Sequence, residues 1–278
     1  MKRIALVDHD LENFHANTYL KLFRNELKDR GFTVSACHAT KQKTSQDWAE
    51  KNDVPFYSDL AELNENADFY MILAPSNPET HLDLCQKIFP FGKATYVDKT
   101  FAPDYATAKR IFALADKHRV PMQTTSALRY TEVQDYVKSV GRKNIAHMIT
   151  WVAGSSFDEY AVHAIELFVS CMGANIIRLT RSGSKNQAHL LIDLTGHRTA
   201  VVNVFPKTKT PYAASVTTNK ETRYFAIDTS KIFLNTASAV LDLFETGKTN
   251  IDRKESLVIN RIQEVAGQSR ALGRWVTL

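Results

Sequence analysis

The sequence has few cysteines, few glycines and no long apolar run, and each absence narrows what the protein can be. Its three cysteines, at positions 37, 85 and 171, are scattered, so they give neither a metal-binding spacing nor an even set for disulfides. Such usage is typical of reduced thiols in a cytoplasmic protein. No apolar run approaches the length that spans a bilayer, and the apolar N-terminal stretch becomes polar at Asp8, too early for a signal peptide. We therefore expect a cytoplasmic protein with no membrane partner and no metal site.

Positive charge is not concentrated in any one segment. The chain has 35 basic and 30 acidic residues, a net charge of +5, and its densest basic cluster is Lys41-Gln42-Lys43. A nucleic-acid-binding protein usually carries a basic stripe on one element, so we expect no nucleic-acid partner. Hydrophobic residues make up 44% of the chain and charged residues 23%, which is ordinary for a globular protein.

The stretch from Ala67 to Tyr130 alternates short apolar strands with helices of 11 to 16 residues. This alternation predicts a parallel sheet with right-handed crossovers. We expect an α/β fold: a doubly wound Rossmann-type domain over residues 1–125, then an α+β domain with a largely antiparallel open sheet over residues 126–278. Ligands bind beyond the carboxyl ends of parallel strands, where the predicted strand ends place Ala74, Pro75, Ser76, Asp98 and Lys99.

A dinucleotide-binding domain normally has a glycine-rich turn after its first strand, and this chain has none. Asp8, Asp10 and Asn13 stand at the three glycine positions. We expect the first helix to run from about Leu11 to Arg30, with Asp10 as its N-cap, and the Asp10 carboxylate then occupies the free amides. The alternative is that this loop binds the ligand.

The second strand also lacks the usual signal, an acidic residue for the ribose hydroxyls. The chain has His38, Thr40 and Lys41 there. These side chains would suit a 2′-phosphate, which favours NADP over NAD if either binds, but a solvated loop explains them as well.

Three features carry a family resemblance: the strand ending in Ala74-Pro75-Ser76-Asn77, His81 near the next helix start, and Asp98-Lys99-Thr100 after the following strand. The chain resembles the glucose-fructose oxidoreductase / inositol dehydrogenase / MocA (Gfo/Idh/MocA) family, whose usual tripeptide at the last position is Glu-Lys-Pro.

The resemblance implies an NAD(P)-dependent oxidoreductase that transfers hydride between a nicotinamide and a sugar, polyol or related hydroxy compound. It also implies a homo-oligomer, dimer or tetramer, formed through the C-terminal sheet. Lys99 would contact substrate and cofactor and assist proton transfer. The cofactor-binding candidates are His9, Asp10, Leu11, His38, Thr40, Ala74, Pro75, Ser76 and Asp98.

The segment Phe157–Glu166 supplies the second group of candidates. Glu159 and His163 are four residues apart, so they share one helical face. An imidazole oriented by a carboxylate can act as the general base for a hydroxyl proton. Asp158 and Tyr160 are candidates to share the substrate site. Arg129 is a further candidate, for a sugar hydroxyl or a carboxylate, or else for a salt bridge; His81 either serves the site or simply packs.

Two functions therefore stay open. Lys99, Glu159 and His163 favour the oxidoreductase, whereas the glycine-free loop favours a non-catalytic small-molecule-binding or regulatory protein that has lost dinucleotide binding. Fold alone does not decide between them.

Overall fold

The computed structural model describes residues 1–278. The strands and helices of the first 125 residues are β1 (Lys2–Asp8), α1 (Phe14–Arg24), β2 (Phe32–Ala39), α2 (Gln42–Lys51), α3 (Leu60–Glu65), β3 (Phe69–Ile72), α4 (His81–Ile88), β4 (Thr95–Asp98), α5 (Tyr105–His118) and β5 (Met122–Thr125). Those of the remainder are α6 (Glu132–Val140), β6 (Ile145–Val152), α7 (Phe157–Met172), β7 (Ile176–Ser182), β8 (Ala188–Leu194), β9 (Arg198–Val204), β10 (Ala213–Thr218), β11 (Thr222–Ala226), α8 (Ile232–Thr246), α9 (Arg253–Gly267) and β12 (Val276–Thr277).

The chain forms two compact units. The first comprises residues 1–125 and 233–251, and the second comprises residues 126–232 and 252–278. The sequence prediction divided the chain once, after residue 125, and assigned 233–251 to the second domain. In the structure this segment, which holds nearly all of α8, belongs to the first unit.

The first unit is built on five parallel strands in the order β2-β1-β3-β4-β5. The chain passes from β1 to β2 on one side and then to β3 on the other, so the strand order reverses between β1 and β3. In a doubly wound sheet, this switch point is where a crevice opens for ligands. The structure thus confirms the predicted Rossmann-type sheet.

The helix α8 completes the core of the first unit. Its buried side chains include Ala237, Val240, Leu241 and Phe244, which join the cluster formed around β1 and β2. The ring of Phe244 stacks on that of Phe69 at 4.8 Å. Burial of Val240, Leu241 and Phe244 contributes about 1.5–3 kcal/mol each, which accounts for the packing of this segment with the first unit.

The second unit is built on a seven-stranded sheet in the order β11-β10-β6-β9-β8-β7-β12. Neighbouring strands are antiparallel except β6 and β9, which are parallel. Side chains of β8 alternate between buried Leu190 and Ile192 and exposed His189 and Leu191, so one face of the sheet is covered. This mixed, mostly antiparallel sheet confirms the predicted α+β second domain.

The first helix differs from the prediction. It begins at Phe14 rather than Leu11, because the side chain of Asn13 accepts from the backbone amides of His15 and Ala16. The helix ends at Arg24, and a short turn over 28–30 leads to Gly31, whose φ of 74° lies in the left-handed region. The prediction that Asp10 is the N-cap is therefore wrong. No helix is both long enough and apolar enough to cross a bilayer.

Candidate active site

The side chain of Asp8 closes the loop that follows β1. Its Oδ1 accepts from the backbone amides of His9 at 2.7 Å, Asp10 at 3.2 Å and Ala74 at 3.0 Å. Its Oδ2 accepts from the side-chain amide of Asn13 at 2.9 Å. Burial raises the pKa of the Asp8 carboxyl to about 7, while the four N–H donors favour its ionised form.

The other amides of this loop also have partners within the chain. The Leu11 amide donates to the Ser45 hydroxyl at 3.0 Å, and the Glu12 amide donates to Oδ1 of Asp10 at 3.2 Å. The Asn13 amide donates to the Leu11 carbonyl at 2.7 Å. The Asn13 side chain caps two further amides at the start of α1. The chain itself therefore satisfies the amides that a glycine-rich loop leaves open for a phosphate.

The side chains predicted to bind the cofactor or to suit its 2′-phosphate are engaged as well. Asp10 pairs with Lys41 at 2.8 Å, and Nδ1 of His9 lies 2.9 Å from the Thr40 hydroxyl. Nδ1 of His38 lies 2.8 Å from the Tyr57 carbonyl, and burial lowers the pKa of its imidazole.

Lys99 lies at the carboxyl end of β4 and is only 7% exposed. Its ammonium makes one hydrogen bond, to the Pro75 carbonyl at 3.3 Å, and no salt bridge. Ala74 and Pro75 are buried beside it and Ser76 is exposed, so the structure brings the predicted residues of the β3 and β4 ends together. The peptide bond between Lys99 and Thr100 is cis.

The Asp98 carboxylate is occupied by partners other than the Lys99 ammonium. Its Oδ1 accepts from the Tyr96 hydroxyl at 3.0 Å and from the Lys99 backbone amide at 2.8 Å, and its Oδ2 contacts Nδ1 of His15 on α1. Burial alone would raise the pKa of Asp98, but the charge and hydrogen bond of His15, together with the charge and backbone amide of Lys99, outweigh it and hold that pKa below its usual range. Asp98 is therefore a support that fixes the backbone at Lys99.

His81 is a second support of the same strand ends. It is fully buried; its Nδ1 lies 2.9 Å from the Phe101 carbonyl and its Nε2 lies 2.8 Å from the Leu73 carbonyl. The ring thus ties the end of β3 to the segment that follows Lys99.

In the second unit, His163 is held by Ser126. Nδ1 of His163 and the Ser126 hydroxyl are 2.6 Å apart, and the Ser126 amide donates to Oε2 of Glu166 at 2.7 Å. His163 and Glu166 lie three residues apart on α7, so Ser126 is joined to that helix twice. Tyr160 and Tyr212 flank the imidazole, with ring centroids 5.4 Å and 6.4 Å away.

The carboxylates predicted beside His163 make contacts of their own. Glu159 contacts the Ser155 hydroxyl, and Asp158 is exposed and pairs with Lys185 at 2.7 Å. The pKa of Tyr160 is raised by burial and by the charge of Glu159.

Arg129 is buried among acidic side chains of its own unit. Its Nε donates to Oε1 of Glu166 at 2.6 Å and its Nη1 donates to Oε2 of Glu255 at 2.7 Å. Burial would lower the pKa of Arg129, but the two carboxylates outweigh it and raise that pKa. Glu255 also accepts from Arg142 at 2.8 Å, so its charge is shared by two arginines.

Sequence reasoning missed Ser126, His15 and Asn13. The N-cap signal for Asn13 was present, since asparagine is a favoured N-cap residue, but Asp10 gave the same signal three residues earlier. Ser126 and His15 gave no local signal, because their partners lie 37 and 83 residues away along the chain.

Comparison with known proteins gives a consistent result. The sequence model described as an oxidoreductase family with an NAD-binding Rossmann fold (Gfo/Idh/MocA) matches residues 11–126. No curated protein matches the chain by sequence.

The fold is shared with several solved structures. Myo-inositol 2-dehydrogenase from Lactobacillus plantarum has a TM-score of 0.82 and 12% identity, with 100% of this chain and 99% of that chain covered. Scyllo-inositol dehydrogenase from Lactobacillus casei has a TM-score of 0.83 and 12% identity, with 100% and 98% covered. GenD2 from gentamicin A biosynthesis, solved in complex with NAD, has a TM-score of 0.81 and 13% identity, with 100% and 96% covered.

These identities show a common fold, and the family model matches by sequence the part of the chain that contains most of the first sheet. Over residues 11–126 the sequence therefore matches the Gfo/Idh/MocA oxidoreductase family model, in agreement with the resemblance that the motifs predict.

Proposed function

We propose that this protein is an oxidoreductase that acts on a hydroxyl group of a sugar, a polyol or a related small compound. NAD or NADP is the cofactor that its family implies. The observation that carries the proposal is the buried Lys99 ammonium, which stands without a salt bridge at the carboxyl end of β4.

A lysine retained only for structure would normally be paired with a carboxylate. Asp98 is the adjacent carboxylate, yet its oxygens accept from Tyr96 and from the Lys99 backbone amide and contact His15. The Lys99 ammonium is left with a single long hydrogen bond to a carbonyl. Such an ammonium has donors to spare for a substrate oxygen and can exchange a proton with it.

His163 is the candidate base of the second unit. When its Nδ1–H donates to the Ser126 hydroxyl, Nε2 presents a lone pair that can accept a proton. The sequence interpretation gave the orienting role to Glu159; the 2.6 Å contact supports Ser126 for that role. Glu159, Asp158 and Tyr160 remain proposed parts of the substrate site.

One observation favours a second candidate function. The loop after β1 does not fit a dinucleotide in the usual way, since Asp8, Asp10 and Asn13 occupy its amides. The engaged side chains of His9, His38, Thr40 and Lys41 likewise offer no ready ribose or 2′-phosphate site. A small-molecule-binding protein without a dinucleotide is the function that these contacts favour.

Calorimetric titration with NADH and NADPH, followed by a screen of polyol and sugar oxidation, separates the two candidates. Heat of binding and turnover that depends on Lys99 would establish the oxidoreductase. Absence of binding and turnover with either cofactor, combined with binding of a polyol to the protein alone, would establish the second candidate.

We also propose that the protein is a homo-oligomer formed through the sheet of the second unit. Leu191 is 41% exposed, and the strand register places Leu191 beside Val201 and Val201 beside Ile149. This apolar row lies on the face opposite the buried side chains of β8. Light scattering on the wild type and on Leu191→Glu tests the proposal: the wild type should be a dimer or tetramer, and the variant should shift toward monomer.

A further inference from the structure

The switch point of the first sheet is filled by the protein's own anion. Asp8 ends β1 and Ala74 follows β3, the two strands between which the strand order reverses. The Asp8 carboxylate lies here, 1% exposed, on amides from both strand ends.

The donors that surround this carboxylate form an anion site by their chemistry. Three backbone N–H groups and the Asn13 side-chain amide converge on one pair of oxygens. Convergent backbone amides at such a position bind phosphate groups as readily as carboxylates. The fold therefore supplies the hydrogen-bond donors of a phosphate site. The Asp8 carboxylate, which belongs to the same chain, already binds these donors.

Displacement of this occupant carries a cost. A dinucleotide phosphate that took the three amides would leave the Asp8 carboxylate buried without donors, close to its own negative charge. The neighbouring amides offer no substitute, because Ser45, Asp10 and Asn13 hold them.

We infer that Asp8 is an internal competitor for the phosphate site at this switch point, so that the chain binds dinucleotides weakly and removal of the carboxylate opens the site to pyrophosphate. The part of this inference that concerns dinucleotides rests on the proposed oxidoreductase function; the part that concerns pyrophosphate does not.

The test uses Asp8→Gly at a pH above 7, where the Asp8 carboxyl of the wild type is ionised, with inorganic pyrophosphate and NADH as probes in calorimetry and thermal-shift assays. Glu12→Gln is the matched control, since it removes the same charge from the same loop, and Glu12 is exposed with its side chain on none of the three amides. We expect Asp8→Gly to bind pyrophosphate at least about tenfold more tightly than the wild type, whereas Glu12→Gln should change affinity by less than about threefold.

The outcomes separate the inference from the proposed function. Gain of both pyrophosphate and NADH affinity supports the inference and the oxidoreductase together. Gain of pyrophosphate affinity without NADH binding supports the occupied anion site and counts against the dinucleotide cofactor. Micromolar NADH binding by the wild type, or no gain of pyrophosphate affinity in Asp8→Gly, would overturn the inference.

If Asp8→Gly fails to fold, Asp8→Asn provides the same test. It keeps the shape of the side chain and an oxygen acceptor while it removes the charge. Asp8→Asn should then bind pyrophosphate more tightly than Glu12→Gln does, but by a smaller factor than Asp8→Gly. Equal pyrophosphate affinities of Asp8→Asn and Glu12→Gln would overturn the inference.

Discussion

The hydroxyl of Ser126 lies 2.6 Å from Nδ1 of His163, and the same serine donates its backbone amide to Glu166 one turn further along α7. A residue just after the last strand of the first sheet thus fixes the ring orientation of the candidate base. Ser126 acts through His163, so we treat it as a positioning residue.

Substitution Ser126→Ala should lower kcat/KM about five- to tenfold, which corresponds to one hydrogen bond of about 1 kcal/mol. It should also move the limb of the pH profile that reports the base, because the imidazole loses its Nδ1 partner. Steady-state kinetics over a pH series measures both effects. Ser139→Ala is the control, since the Ser139 hydroxyl donates to the Tyr136 carbonyl on another helix. An unchanged pH profile in Ser126→Ala would contradict the positioning role.

Substitution Lys99→Met should reduce kcat/KM by about 100-fold or more while the protein stays folded, because a proton-exchanging group is worth about 10²–10⁴ in rate. Lys93→Met is the control. Lys93 precedes the same strand at its opposite end, where its ammonium donates to the carbonyls of Asn64 and Ala67. That variant should lose stability and keep its turnover. Similar turnover in the two variants would show that Lys99 takes no part in proton transfer.

Substitution Arg129→Met should destabilise the protein by about 3–5 kcal/mol. The buried carboxylates of Glu166 and Glu255 would then lose the positive charge that pairs with them. Urea unfolding measures the loss. Arg178→Met is the comparison: its exposed pair with Asp193 should contribute no more than about 1 kcal/mol. If Arg129→Met instead keeps its stability and loses only substrate affinity, Arg129 has the substrate role that the sequence interpretation offered.

The Asp8 carboxyl should make stability depend on pH. Its pKa is about 7 in the folded protein and about 3.9 in the unfolded chain, so the folded state binds the extra proton between these values. The stability that this proton contributes is fully present below about pH 4 and is lost as pH rises to about 7. Urea midpoints at several pH values should therefore fall over this range, and the fall should be smaller in Asp8→Asn. Parallel curves for the two proteins would show that Asp8 does not titrate there.

The sequence predicted the parts of the structure that depend on local pattern. Alternation of short apolar strands and helices gave the Rossmann-type sheet, and the strand ends correctly brought Pro75 and Lys99 together. It misplaced the start of α1, because Asp10 and Asn13 are both good N-caps and only the contacts of Asp8 and Ser45 distinguish them.

Features set by tertiary contacts were not predictable. Nothing near His15 indicates that its ring meets Asp98, and nothing near Ser126 indicates His163. The apolar face of α8 does not by itself indicate which unit it covers; its packing against the first unit, which includes contacts of Phe244 with Phe32 and Phe69, assigns it there.

That assignment has a consequence for how the protein is made. On the ribosome, the five strands of the first sheet are complete at residue 125, yet the helix that covers them is translated only after more than a hundred further residues. At about 5–20 residues per second, the nascent sheet waits several seconds with Phe32 and Phe69 uncovered. A gene fragment that stops at residue 125 should therefore yield an aggregation-prone polypeptide, and a fragment that can fold alone must carry residues 233–251 as well.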